Sequence, residues 1–139
     1  MEFCQEVLSS LKILHVKGKV FSGGGEGARF TELPWVKKQM AEKLGFIPYP
    51  GTLNIKLTED KVNIKKLLKK AKAIEISPAP GFCRGKCFQA YLMGNLKCAI
   101  IIPEVENYPE DVIEVIAPVN LREKFKPKNG SVIEVRIVL

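Results

Sequence analysis

Histidine is almost absent from this chain: among 139 residues there is one, His15. A catalytic Ser-His-acid triad needs a histidine beside its nucleophile, and no such set is available around His15, so hydrolysis of that type is disfavoured. We interpret His15, which lies in a strand-like run, as a packed or surface residue. The sequence also lacks Gly-Lys-Ser and Gly-Lys-Thr, which excludes a Walker phosphate-binding loop.

Long apolar runs are missing as well. No segment reaches the roughly 18 consecutive apolar residues that a membrane-spanning helix needs, and the N-terminus lacks the residue order of a signal peptide. The apolar content of 46% is nevertheless enough for a hydrophobic core. We therefore expect one soluble, cytoplasmic domain.

Acidic residues are fewer than basic ones, 15 against 22, which leaves a net charge of +7. Much of the excess lies in a lysine-rich segment between Lys61 and Lys72. A solvated helix face is the simpler interpretation, and a nucleic-acid surface is the alternative. The few aromatic residues, 8% of the chain, do not alternate with the lysines as a platform for stacked bases would require.

The four cysteines match no standard zinc-ligand spacing. Cys83 and Cys87 are separated by three residues, no second pair follows them, and Cys4 and Cys98 are distant in sequence. Free thiols are the expectation for a cytosolic chain, and a Cys83–Cys87 disulfide is the alternative if the source is a hyperthermophile.

Hydrophobic periodicity predicts a mainly β fold with short helices. Pro34 to Leu44 has apolar residues four apart, with proline at its start and Gly45 after its end, which is typical of a helix. A second helix is predicted from Asn63 to Lys72, with Ile64, Leu67, Leu68 and Ala71 as its buried stripe. The predicted strands are Ile13–Val20, Thr52–Leu57, Ala73–Ile76, Cys87–Met93, Leu96–Ile102, Val112–Ile116 and Ser131–Leu139. This order, without a repeating strand-helix-strand unit, favours a small closed or nearly closed barrel with two interposed helices.

A glycine-rich segment, Ser22 to Gly27, is the first candidate for chemistry. Glycines without Cβ atoms let a turn bring several backbone N–H groups close to an anion, so the segment could bind phosphate. A flexible hairpin turn is the alternative.

Thr52 and Asn54 are the second candidate. On a strand they share one face, opposite Leu53, Ile55 and Leu57. Two neutral oxygens suffice for magnesium when substrate phosphates and water supply the other ligands, whereas the polar face of an ordinary strand would also explain them.

Glu114 lies in the apolar run Val112 to Ile116. An outward-facing strand position explains it, but a partly buried carboxylate could also bind a substrate hydroxyl or accept its proton. The turn that follows, Ala117 to Arg122, offers backbone groups, Asn120 and Arg122 to a base or a phosphate.

In this order, these motifs resemble the archaeal CTP-dependent riboflavin kinases from about Val16 to the C-terminus. The segments that carry the resemblance are Gly18-Lys19-Val20 with Ser22 to Gly27, Leu44-Gly45-Phe46, Pro48 to Asn54, Ile102-Pro103, Ile113 to Pro118, and Leu121 to Phe125. The resemblance implies a six-stranded cradle-loop barrel that transfers the γ-phosphoryl group of CTP to the 5′-hydroxyl of riboflavin, giving FMN and CDP with the help of Mg²⁺.

The resemblance also implies roles for individual residues. Glu114 would be catalytic and would contact the flavin together with Glu106, while Thr52 and Asn54 would hold magnesium. Glu106 or Asn107 would take the place of a threonine that family members carry a few residues after Ile-Pro, and Ala28 here precedes the arginine that members place directly after the glycine segment. The implied nucleotide-binding residues are Gly23, Gly24, Gly25, Glu26, Gly27, Ala28, Val119, Asn120, Leu121 and Arg122.

The expected organisation is a lead-in over residues 1–16 and a single kinase barrel over residues 17–139. The expected partners are CTP or CDP and riboflavin or FMN, with no nucleic acid, no membrane and a monomeric state. A basic barrel that binds nucleic acid and a flavin-binding module without catalysis are the alternative functions.

Overall fold

A computed structural model describes residues 12–22, 31–76, 85–92, 95–104 and 106–139. Several predictions concern residues outside these ranges: Gly23 to Gly27 of the glycine segment, Ala28, Cys4, Cys83 and Met93, the last residue of a predicted strand. The observed strands are β1 Ile13–Phe21, β2 Leu53–Leu57, β3 Ile74–Ile76, β4 Gly85–Leu92, β5 Leu96–Pro103, β6 Val112–Ile116 and β7 Val132–Val138. The helices are α1 Pro34–Leu44, α2 Lys61–Lys70 and α3 Leu121–Phe125.

Six antiparallel strands close into a barrel. The order around it is β4, β5, β6, β2, β1 and β7, and the pairing of β7 with the second half of β4 closes the ring. The first half of β4 uses the same edge to pair with β3, which lies outside the ring. The prediction of a mainly β, closed six-stranded barrel is confirmed. The proposed division at residue 17 stays a prediction, although β1 already begins at Ile13.

The barrel interior is filled by alternate residues of all six strands. Because successive strand residues point to opposite faces, each barrel strand contributes every second side chain to one core. Members of this inner core, one from each strand, are Val20, Ile55, Phe88, Ile100, Ile113 and Val135. Ile64 and Leu68 of α2 and Leu121 of α3 join the same cluster.

Helix α1 packs on the outside of the barrel and has the predicted boundaries. Proline occupies its first turn, and Gly45 ends it in the left-handed conformation with φ of 83°. Its buried residues Val36, Met40 and Leu44 contact the outer faces of β3 to β6 in a second core. The helix therefore covers the barrel wall on that side.

The second helix differs from its prediction. It begins at Lys61 and ends at Lys70, two residues earlier than predicted at both ends. Ile64 and Leu68 are buried as predicted, but Leu67 is 46% exposed and Lys65 is only 5% exposed. The face of α2 that meets the barrel therefore includes Lys65 in place of Leu67. The interpretation of the lysine-rich segment as a solvated helix face is wrong for Lys65.

Helix α3 was predicted only as a turn. The Asn120 side chain accepts a hydrogen bond from the backbone N–H of Glu123, a standard N-terminal cap. At five residues this helix is too short for a periodic signal. Of the helices in the described ranges, none has the length and apolar character needed to cross a membrane.

Candidate active site

Strand pairing brings Asn54 and Glu114 face to face. They are direct partners in the antiparallel ladder between β2 and β6. Ile113 and Val115 belong to the inner core, so Glu114 between them points away from the barrel interior, as Asn54 does between Leu53 and Ile55. Two polar residues that are 60 positions apart in sequence thus share one patch of the outer wall.

Thr52 joins this pair at the start of β2. Its hydroxyl oxygen lies 3.0 Å from Glu114 Oε1 and 3.2 Å from Asn54 Oδ1. A threonine hydroxyl has one proton, and the charged carboxylate is the stronger acceptor. We therefore infer that the Thr52 hydroxyl donates its proton in a hydrogen bond to Glu114 Oε1. The lone pairs of the hydroxyl oxygen remain able to accept a hydrogen bond from another group.

Tyr108 completes the surroundings of the carboxylate. Its hydroxyl donates to Glu114 Oε2 at 2.6 Å, so each carboxylate oxygen accepts a hydrogen bond from a different hydroxyl. Burial, the hydrogen bond to Glu114 and the negative charge of Glu114 all raise the pKa of Tyr108 above its usual range. The phenol therefore remains protonated and acts as a donor.

Lys65 of α2 lies behind Tyr108. Its ammonium nitrogen is 5.3 Å from the centre of the tyrosine ring, within the range of a cation–π interaction. Burial lowers the pKa of Lys65, while the carboxylates of Glu110, Asp111 and Glu114 act in the opposite direction. The lysine thus lies in an acidic environment next to the site.

A cavity of about 220 Å³ opens beside Thr52. Its lining combines the start of β2 with the turn and first residues of α3. It therefore brings Thr52 together with all of Val119 to Arg122, which is predicted to bind the nucleotide and is hereafter called the base-binding segment. The lining residues from that segment are Val119, Asn120, Leu121 and Arg122. Tyr49, Pro50 and Gly51 form another side.

Two hydrogen bonds hold the Tyr49 side of the cavity in place. The backbone N–H of Tyr49 donates to the carbonyl of Ala117 at 2.7 Å, and that of Gly51 donates to Thr31 Oγ1 at 3.0 Å. Thr31 is fully buried. The loop before β2 is therefore anchored both to the end of β6 and to the segment before α1.

Gly23 to Ala28 lie outside the described residues, but the strand that leads toward them does not. β1 ends at Phe21, whose partner across the ladder is Asn54. Arg122 Nη2 lies 3.5 Å from the Phe21 carbonyl oxygen. The chain thus leaves β1 beside both the Thr52–Asn54 pair and the predicted base-binding segment.

The predicted flavin contact Glu106 is exposed, and its role stays a prediction. The side chain that the structure adds to the surroundings of Glu114 is Tyr108. Sequence reasoning missed Tyr108, Lys65, Tyr49 and Thr31. The only available signal for Tyr108 was a rare aromatic residue six positions before a carboxylate on a strand. Lys65 was missed because it lies in a segment with several other lysines, and no local sequence signal distinguishes it from them.

Similarity to known proteins shows the family of this chain. A protein-family model labelled CTP-dep_RFKase, for CTP-dependent riboflavin kinase, and described as "Domain of unknown function DUF120" matches residues 20–137. The chain belongs to this CTP-dependent riboflavin kinase family. The match includes β2, β6 and the segment from Val119 to Arg122, so the family region contains all parts of the site described above.

Three relatives from archaea are each called riboflavin kinase. The protein of Methanosarcina barkeri is 39% identical over 91% of this chain and 58% of its own length. That of Archaeoglobus fulgidus is 38% identical over 91% of this chain and 55% of its own. The Pyrobaculum aerophilum protein is 40% identical over 95% of this chain and 63% of its own. This family member therefore spans somewhat more than half the length of these relatives.

The donor set of the site fits a magnesium ion. Within the described ranges, no three His, Cys, Asp or Glu side chains are grouped closely enough to hold a metal by themselves. Thr52 Oγ1 and Asn54 Oδ1 instead offer two neutral oxygens 3.2 Å apart, and the Glu114 carboxylate lies 3.0 Å from the threonine hydroxyl. Such a set resembles magnesium sites in which substrate phosphates and water complete the coordination.

Proposed function

We propose that this chain is a CTP-dependent riboflavin kinase, which transfers the γ-phosphoryl group of CTP to the 5′-hydroxyl of riboflavin and forms FMN and CDP. One observation carries the proposal: in a member of this family, Thr52, Asn54 and Tyr108 surround Glu114 next to the cavity lined by the predicted base-binding segment. Asn54 comes from β2, Thr52 from the position just before it, Glu114 from β6 and Tyr108 from the loop before β6.

Phosphoryl transfer needs mainly alignment of the reacting oxygens and neutralisation of charge. Glu114 is held at both carboxylate oxygens, which suits it to accept the hydrogen bond of the riboflavin 5′-hydroxyl and to orient that oxygen or receive its proton. Magnesium bound at Thr52 and Asn54 would neutralise charge on the phosphate oxygens of CTP. The glycine segment from Gly23 to Ala28 remains the predicted phosphate-binding loop.

The base site is assigned to the cavity beside Thr52. Asn120 uses its side-chain oxygen to cap α3, and Leu121 is buried, so these two residues offer mainly backbone groups. Arg122 is exposed at the edge of the cavity and brings a positive charge for the phosphates. The proposed preference for cytosine over adenine is supported by the name of the matching family.

The decisive assay incubates the chain with riboflavin, magnesium and either CTP or ATP, and separates FMN and CDP from the substrates by chromatography. We expect FMN with CTP and little with ATP. Equal rates with both nucleotides would contradict the CTP preference, and no FMN with either would contradict the kinase. Riboflavin binding without turnover would favour a non-catalytic flavin module, and salt-dependent nucleic-acid binding without flavin binding would favour a regulator.

Glu114→Gln tests the assignment of the carboxylate, with Glu134→Gln as a matched control. Glu134 is an exposed carboxylate on β7 that pairs with His15, at 3.2 Å. We expect Glu114→Gln to lower kcat with riboflavin by about 100-fold, the usual size of a lost acid-base contribution, and Glu134→Gln to have no effect. Full rate and full flavin affinity in Glu114→Gln would remove Glu114 from the mechanism.

A further inference from the structure

Lys65 is unusual among the lysines of this protein. Of the charged side chains in the described ranges, it alone is almost fully buried, at 5% exposure. Its neighbours on α2, Lys66, Lys69 and Lys70, are exposed. An apolar residue at this position would avoid the desolvation of an ammonium group, so the fold by itself gives no reason for a lysine here.

The contacts of Lys65 lead to the carboxylate of the proposed site. Its ammonium group faces the ring of Tyr108 at 5.3 Å, and the hydroxyl of the same ring donates to Glu114 Oε2 at 2.6 Å. The other carboxylate oxygen accepts from Thr52. One side of this support comes from α2 and the loop before β6, and the other comes from the residue just before β2.

We propose that Tyr108 and Lys65 are positioning residues, which fix the orientation of the Glu114 carboxylate toward the acceptor hydroxyl of riboflavin. This inference rests on the proposed kinase function. A carboxylate that is held at both oxygens needs little reorganisation when the hydroxyl binds, whereas a freely rotating one must be ordered at that moment. Tyr108 supplies the hydrogen bond, and Lys65 holds the ring that carries it.

The first test is Tyr108→Phe, which removes the hydroxyl but keeps the ring above Lys65. We expect kcat/KM for riboflavin to fall about 10-fold or more, because a hydrogen bond to a charged group is lost, while KM for CTP changes less than 2-fold. Tyr91→Phe is the matched control: Tyr91 lies on β4 and has its own cation, Arg136, at 5.6 Å from the ring. The control should match the wild type.

A double-mutant cycle distinguishes positioning from a general structural effect. If Tyr108 acts through Glu114, Tyr108→Phe should cost less than 2-fold in riboflavin affinity and kcat/KM when Glu114→Gln is already present. Full additivity of the two substitutions would overturn the proposal. Riboflavin affinity is measured by quenching of flavin fluorescence, so the cycle does not depend on turnover alone.

Lys65→Met tests the second positioning residue through opposite effects on stability and activity. We expect an unchanged or higher Tm, since a desolvated charge is replaced by an apolar side chain of similar length, together with a fall of about 3-fold in kcat/KM for riboflavin. Lys69→Met is the control, because Lys69 lies on the same helix and is exposed. A variant with a higher Tm and full activity would overturn the role of Lys65.

The outcomes separate this inference from the function on which it rests. Wild-type protein that neither binds nor phosphorylates riboflavin would overturn both. An active wild type with Tyr108→Phe indistinguishable from Tyr91→Phe would overturn the positioning role alone. A riboflavin-specific loss in Tyr108→Phe that disappears in the Glu114→Gln background would support it.

Discussion

Gly18→Ala should destabilise the barrel, because β1 has no room for a Cβ atom at this position. An added Cβ would clash with Ile55 Cγ2 and would lie 2.7 Å from the carbonyl oxygen of Lys56. Ile55 is fully buried in the inner core, and Lys56 is held in the ladder between β2 and β6. Neither group can move without a shift of β1 relative to β2.

The size of the effect follows from two opposing contributions. Replacing a glycine reduces the freedom of the unfolded chain, which by itself stabilises by about 0.4–1 kcal/mol. Overpacking a core costs about 1–3 kcal/mol, and a clash with backbone belongs at the upper end of that range. We therefore expect a net loss of about 2 kcal/mol, which for a domain of this size lowers Tm by about 7 °C.

Thermal unfolding followed by circular dichroism measures this change. Lys19→Ala is the control, since Lys19 is the next residue of β1 and is exposed, and it should change stability by less than about 0.5 kcal/mol. A Tm for Gly18→Ala equal to that of Lys19→Ala would refute the argument. Because Lys56 lies two residues from Asn54, we also expect weaker riboflavin phosphorylation at temperatures where the variant is still folded.

Two further predictions concern the metal and the thiols. Thr52→Ala combined with Asn54→Ala should raise the magnesium concentration needed for half-maximal FMN formation about 10-fold or more. Thr58→Ala, at an exposed position after β2, is the control and should leave that concentration unchanged. An unchanged magnesium requirement in the double variant would contradict the metal site. Burial raises the pKa of both Cys87 and Cys98 from 9.0 to about 12. Above pH 9 these thiols therefore bind fewer protons in the unfolded chain than in the folded one. Urea unfolding should show the free energy of unfolding falling as pH rises from 9 toward 12, by up to about 1.4 kcal/mol per pH unit for each thiol. The lowered pKa of the buried lysine of α2 acts in the opposite direction. Cys98→Ala should make this decline shallower, and an equal slope in the variant would contradict the assignment.

The local elements of this protein could be predicted because their signals lie within a few residues of one another. Helix α1 has a proline at its start, an apolar residue every fourth position and a glycine after its end, and its bounds agree with the prediction. Strand β2 alternates buried and partly exposed residues as its sequence does. Helix α2 was predicted less well, since the distinction between Lys65 and Leu67 depends on how the helix is rotated against the barrel.

The two cysteines in the described ranges, Cys87 and Cys98, are free thiols, as predicted, and both are buried. They lie in different cores, one outside the barrel wall and one inside it. Spacing along the chain could not reveal this, because the face of a strand that a residue occupies is meaningful only once the neighbouring strands are known.

The sequence alone determined the types of chemical group available: a glycine segment, two neutral oxygens on one strand face, a carboxylate in an apolar strand and a basic surface. It also determined the mainly β class, since alternation and turn residues are local properties. Only the tertiary structure decided that Asn54 faces Glu114, that Tyr108 donates to the carboxylate, and that a lysine is buried behind the tyrosine ring. Those contacts join residues of different strands, loops and helices, and their geometry is set by barrel closure and core packing, which no short segment encodes by itself.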